Sequence, residues 1–221
     1  MGFWSTAEAV LKNPRRLLVL EESRAEDRRT IQRLLILCVL CLAVFGLLLG
    51  GFSGGQQLWV APTKVALGAL FSLLICLPSL FIFGSLAGMN VRVEQVVKLG
   101  LSGLTLTSLL LVGFAPVVWV FSQSSDSLVF MGGLAVVFWM VSVLFGMRLV
   151  RQEAELLKLR ELSYLNLWIF IFILVTLQVS TAVRPIIGTA DTFFPKEKRF
   201  FMQHWGEEMD TPAPTPAVRK K

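Results

Sequence analysis

Cys38 and Cys41 stand three positions apart, the CxxC spacing of a redox pair or of half a zinc site. His204, the one histidine, is followed by Glu207 and Glu208 and flanked at a distance by Asp191 and Asp210. These are the residues whose types could do chemistry, and each set lacks what the chemistry needs. The CxxC lies among Leu and Val with no second Cys or His pair, and an apolar setting blunts a thiol. Trp205 and Gly206 separate His204 from the glutamates, so the spacing is not HExxH. No nucleophile is marked for a Ser/His/Asp arrangement, and neither a Walker A nor a GxGxxG sequence occurs. The sequence therefore assigns no catalytic residue, no cofactor and no metal site, and the expectation is a non-enzyme. Cys38, Cys41 and Cys76 read as small hydrophobes.

The elements that would position any such residue are five long apolar runs: Leu34–Phe52, Val65–Ala87, Leu99–Phe121, Leu128–Met147 and Leu165–Val183. Roughly 20 apolar residues at 1.5 Å rise cross about 30 Å of hydrocarbon. No run carries an ionisable residue in its interior. Hydrophobic residues make up 55% of the 221, which fits this arrangement. The expected fold class is all-α, a polytopic transmembrane helical bundle of about five spans with a short interfacial helix at the N-terminus. The domain reading is 1–33, a cytoplasmic amphipathic segment; 34–183, the five-span membrane domain; 184–210, a membrane-proximal aromatic and basic segment; and 211–221, a disordered Pro-rich tail. The first apolar run follows a long charged segment and exceeds a signal-peptide core, so it reads as a retained anchor.

A net charge of +6 raises the question of nucleic acid. The basic residues flank the spans and alternate with acids, as in Glu21-Glu22-Ser23-Arg24-Ala25-Glu26-Asp27-Arg28-Arg29, rather than forming a single-sign patch. They read as headgroup contacts and topology signals, and no nucleic-acid partner is expected. With the N-terminus inside, thirteen Lys and Arg fall on the inner side and eight on the outer, which follows the positive-inside rule. The basic tail is discordant. Either it is tolerated outside, or one run is re-entrant and both termini are cytoplasmic; five crossings are preferred because every run is long enough. The expected location is the bacterial inner (plasma) membrane.

Ser5-Thr6-Ala7-Glu8 has capping-box spacing, and Asn13-Pro14 should end the helix that follows at Ala7–Lys12. Phe3, Trp4, Val10 and Leu11 give that piece an apolar side, to lie in the membrane interface or to pack on the span ends. Arg148 to Ser163 has helix-forming composition without Gly or Pro and reads first as a solvated helical hairpin, second as a docking surface. After the last run, Arg184, Pro185 and Gly188 stop the helix. Phe193, Phe194, Phe200, Phe201 and Trp205 interleave with Lys196, Lys198 and Arg199, as in a segment on the membrane surface.

Within the spans, hydroxyls such as Ser102, Thr105, Thr107 and Ser108 can bond their own helix backbone. An ion-coupled carrier would keep charge at that depth, so coupled transport is disfavoured. Pro78 and Pro116 could kink their helices and open a cavity. Gly46 and Gly50, and Gly84 and Gly88, form two GxxxG pairs, whose aligned glycines admit a second helix.

The order of parts, an interfacial helix ending in Leu11-Lys12-Asn13-Pro14 and then five closely spaced spans, resembles the Yip1-like membrane domain family. The block Gln178…Arg184-Pro185-Ile186-Ile187-Gly188 with Phe193-Phe194 is similar to uncharacterised bacterial multi-span proteins. The resemblance implies non-enzymatic membrane organisation or assembly. The expectation is a membrane scaffold or accessory subunit that acts by helix–helix and surface contacts. Its partners would be the lipid bilayer and a membrane protein or a second copy. The alternative is a small channel or uncoupled transporter.

Overall fold

The computed structural model describes residues 3–12, 24–53, 57–88, 92–124, 128–157 and 162–182, and every element among them is a helix. They are α1 (Phe3–Lys12), α2 (Arg24–Ser53), α3 (Gln57–Leu86), α4 (Val93–Ser124), α5 (Leu128–Leu156) and α6 (Leu162–Ala182). Helices α2 to α6 are long and apolar enough to cross a membrane. The chain is a helical bundle, as its five apolar runs require.

The helices are longer than the apolar runs. Helix α2 begins ten residues before Leu34, α4 six before Leu99, and α5 continues nine beyond Met147. Thirty residues make roughly 45 Å of helix, more than the hydrocarbon needs, so α2 extends past it. The extensions have local causes. Glu26 and Asp27 sit in the first turn of α2, where the helix dipole favours negative charge. Arg92 caps α4: its carbonyl accepts from Gln95 and Val96 N–H at 3.0 and 3.3 Å, and its own N–H donates to Gln95 Oε1 at 3.0 Å, the side-chain half of a capping box.

Helix α3 stops at Leu86. Ala87 N–H donates to Phe83 O at 2.9 Å, Gly88 N–H to Ser85 O at 3.1 Å, and Gly88 takes φ 85°. This is the left-handed exit that a residue with a Cβ adopts only with strain. Gly88 therefore lies beyond the helix and does not extend a packing face with Gly84; the second GxxxG reading is corrected. Pro62 and Pro78 both lie inside α3, and Pro116 inside α4.

Helix α1 ends at Lys12 as Asn13-Pro14 demands, but it starts at Phe3 rather than Ala7. Ser5 is thus inside the helix and not its cap, and Glu8 pairs one turn on with Lys12 Nζ at 3.1 Å. Thr6, Ala9 and Val10 are buried, and α1 packs against α2 and α4. Of its two expected placements, packing on the bundle end is the one adopted.

Helix α4 is central. It packs along α2 and α5 and touches α3, while α2 also packs on α3, and α3 carries α6. Helices α2 and α4 run parallel in register: Asp27 meets Lys98, and Leu34 O lies 3.3 Å from Thr105 Oγ1, the same offset of 71 residues. The consecutive helices α5 and α6 scarcely meet and form opposite edges of the bundle. The core between them joins Leu34, Cys38, Leu80, Leu99, Leu104 and Trp168.

Candidate functional site

Three helix extensions converge on a buried ionic cluster. Asp27 of α2 and Lys98 of α4 are 0% and 1% exposed, and Lys98 Nζ donates to Asp27 Oδ1 at 2.6 Å. Arg92 Nη2 stands 3.2 Å from Asp27 Oδ2, close enough for an ion pair but not aligned for a hydrogen bond, since Oδ2 has no donor. Arg92 is one-third exposed, so the cluster opens to the outside through this side chain. One turn along α4 from Lys98, Ser102 meets Glu153 of α5, which is also fully buried. Ser102 Oγ contacts Glu153 Oε2 closely and lies 2.9 Å from Leu99 O. Glu153 Oε1 has no hydrogen-bond partner.

The segments that carry these groups explain the burial. On α2, Asp27, Thr30, Leu34, Leu37, Cys38 and Cys41 are buried while Arg28 and Arg29 are exposed. This is a helical stripe that continues straight from the apolar run into the charged one. On α5, Leu149, Val150, Glu153 and Ala154 are buried while Arg151, Gln152 and Glu155 face out. The start of the 148–163 segment is thus a packed helix, which corrects the reading of a solvated hairpin. Lys98 and Lys64, each one residue ahead of an apolar run, are inside α4 and α3 and nearly fully buried.

Beside the cluster lies a close helix crossing. A Cβ on Gly146 would stand 2.5 Å from Gly103 O and would collide with Thr107 Oγ1; one on Gly103 would stand 3.1 Å from Gly146 O. Gly103 and Thr107 are four apart on α4, and Ser142 and Gly146 four apart on α5. This small-xxx-small pairing escapes a search for glycine pairs alone. Thr107 Oγ1 approaches Ser142 O at 3.4 Å across the crossing.

The residues singled out from the sequence are dispersed. Gly46 does pack a neighbour: its Cβ would stand 2.5 Å from Pro62 Cα, so α2 and α3 touch backbone to backbone there. Gly50 and Gly84 are buried in α2 and α3. Pro78 and Pro116 are exposed on the outer surfaces of α3 and α4, so neither ring lines an internal space. The α4 hydroxyls bond their own helix, with Thr105, Thr107 and Ser108 donating to Leu101, Gly103 and Thr105 carbonyls at 2.7 to 2.9 Å. Trp4 falls in α1. Arg184, Pro185, Gly188, His204 and Trp205 lie outside the described residues.

Cys38, Cys41 and Cys76 are buried and unbonded to one another. Among the described residues no group of three His, Cys, Asp or Glu could hold a metal ion. At the other edge, Trp168 of α6 is fully buried, donates Nε1–H to Cys76 O at 2.9 Å, and stacks on Phe172 at 5.4 Å.

No family model matches the chain, and neither a curated protein nor a solved structure matches it.

Proposed function

We propose that this protein is an integral membrane scaffold or accessory subunit, inserted with its N-terminus in the cytoplasm of a bacterial inner membrane. The observation that carries the reading is the placement of α5 and α6. Each is seated on one principal neighbour, and each keeps a long flank open: Val137, Leu144 and Phe145 on α5, Leu167, Phe170 and Leu174 on α6. The distinctive polar groups of the bundle, by contrast, are spent on its own helices. Lipid covers such flanks by default. A partner's spanning helix fits them because van der Waals packing drives association inside a bilayer. The orientation is supported by the basic residues at the Asp27–Lys98 end of the bundle: Arg28, Arg29 and Arg33 early in α2, Arg92 before α4, and Arg148 and Arg151 late in α5.

A photo-crosslinking residue placed singly at Val137, Leu144, Phe170 and Leu174 in cells tests it. Adducts with one membrane protein, or with a second copy, confined to one flank are the expected result. Adducts with lipid alone at all four positions overturn the reading. The alternative, a small channel or uncoupled transporter, draws less support: Pro78 and Pro116 face outward, and Thr105 and Thr107 bond carbonyls of their own helix.

A further inference from the structure

Ser102 has one proton and two acceptors. Its Oγ lies within hydrogen-bond distance of the Leu99 carbonyl, which can only accept, and of Glu153 Oε2. If Glu153 were a carboxylate, the single Ser102 proton would have to be shared between the two acceptors. Both are satisfied together when Glu153 carries the proton: the carboxyl O–H donates to Ser102 Oγ, and Ser102 O–H donates to Leu99 O. A carboxylate here would also be poorly solvated, because Glu153 is fully buried and Oε1 has no donor.

We propose that Glu153 and Ser102 form a proton-binding site, with Glu153 the group that holds the proton at neutral pH. This goes beyond the scaffold reading and does not depend on it.

The charged groups around the site fit. From α4 and its cap come Glu94, Lys98 and Arg92; Lys98 and Arg92 pair with Asp27 of α2, and Lys98 also acts electrostatically on Glu153. With Glu153 neutral, Lys98 and Asp27 balance, and the Arg92 charge reaches the surface. Helix α1 brings Glu8 and Lys12, exposed and paired with each other. Helix α6 brings Tyr164 as its titratable side chain. Arg148, Arg151 and Glu155 of α5 itself face outward. Release of the proton would set a second buried carboxylate one turn from Lys98, in competition with Asp27 for the same ammonium. The site thus links proton occupancy to which helix, α2 or α5, Lys98 fastens to α4.

Infrared difference spectra of the full chain in lipid bilayers test the assignment through the carbonyl stretch of a protonated carboxylic acid. At neutral pH the band is expected in the unsubstituted protein and in Glu155→Gln, and is expected to be lost in Glu153→Gln. In Ser102→Ala the band should persist and move to higher frequency, since the carboxyl loses a hydrogen-bond partner. Identical neutral-pH spectra for the unsubstituted protein and Glu153→Gln overturn the proposal. If Glu153→Gln does not fold, Ser102→Ala decides: a band that is absent or unmoved overturns it.

Discussion

Helices α5 and α6 are both edge helices, yet they are fastened by different means. Helix α5 is held on α4 by a backbone approach at Gly103 and Gly146, by the Ser102–Glu153 contact, and by the parallel-stacked rings of Phe114 and Phe138 at 4.6 Å. Helix α6 is seated on α3 through an apolar face that buries Leu165, Trp168, Ile169 and Phe172, with Trp168 donating to the Cys76 carbonyl. In a bilayer, apolar surface gains little by leaving lipid for protein, so specificity must come from shape and from polar contacts. The α4 side carries both in several places. The α3 side has one such polar contact, from the Trp168 indole to the carbonyl of Cys76, two residues before Pro78.

Four changes break or sharpen this contrast. The largest effect is expected at the ionic cluster. Lys98→Ala leaves the buried Asp27 with the part-exposed Arg92, which is not aligned for a hydrogen bond, and removal of one partner of a buried pair costs about 3–5 kcal/mol. The double change Asp27→Leu with Lys98→Met should recover most of it, as read by denaturant unfolding in mixed micelles. Next, Gly146→Val forces the α4–α5 crossing apart and should cost about 1–3 kcal/mol, the usual range for overpacking. A disulfide-trapping pair across the α4–α5 contact would report the separation. Trp168→Phe keeps the aromatic body and removes the indole donor. The expected loss is about 0.6 kcal/mol, the typical interhelical hydrogen bond in a membrane, and it should fall on α6 alone in hydrogen-exchange protection. Gly113→Ala, last, is expected to act in the opposite direction. A Cβ there meets nothing within 4 Å, so the helix gains up to about 1 kcal/mol of intrinsic propensity, and melting should be unchanged or slightly raised.

The apolar runs were legible because hydropathy is a property of each residue by itself. The ionic cluster was not, for the same reason. Asp27, Lys98 and Glu153 each look like the polar end of a span when taken singly, and their burial depends on partners 71 and 51 residues away. A local signal did exist. Asp27, Thr30, Leu34 and Cys38 fall on one helical stripe, as do Gly146, Val150, Glu153 and Ala154. Following the period of the apolar face into the charged flanks would have turned both acids inward. Gly46 was visible as a packing glycine, while Gly88 was misplaced because glycine spacing does not reveal where a helix stops. The Gly103–Gly146 crossing was missed because each helix pairs its glycine with a hydroxyl residue, Thr107 or Ser142.

The constant offset between α2 and α4 bears on how the protein is made. Asp27 leaves the ribosome 71 residues before Lys98, and at about 5–20 residues per second that is a wait of several seconds. Throughout it the carboxylate has no ammonium from α4 and stays at the watery margin of the bilayer, holding α2 there. Insertion of the first two spans therefore precedes this tie, and the emergence of α4 is the step at which Asp27 gains its ammonium. A force profile on ribosome-stalled chains should show a pull when Lys98 clears the tunnel, absent in Asp27→Leu.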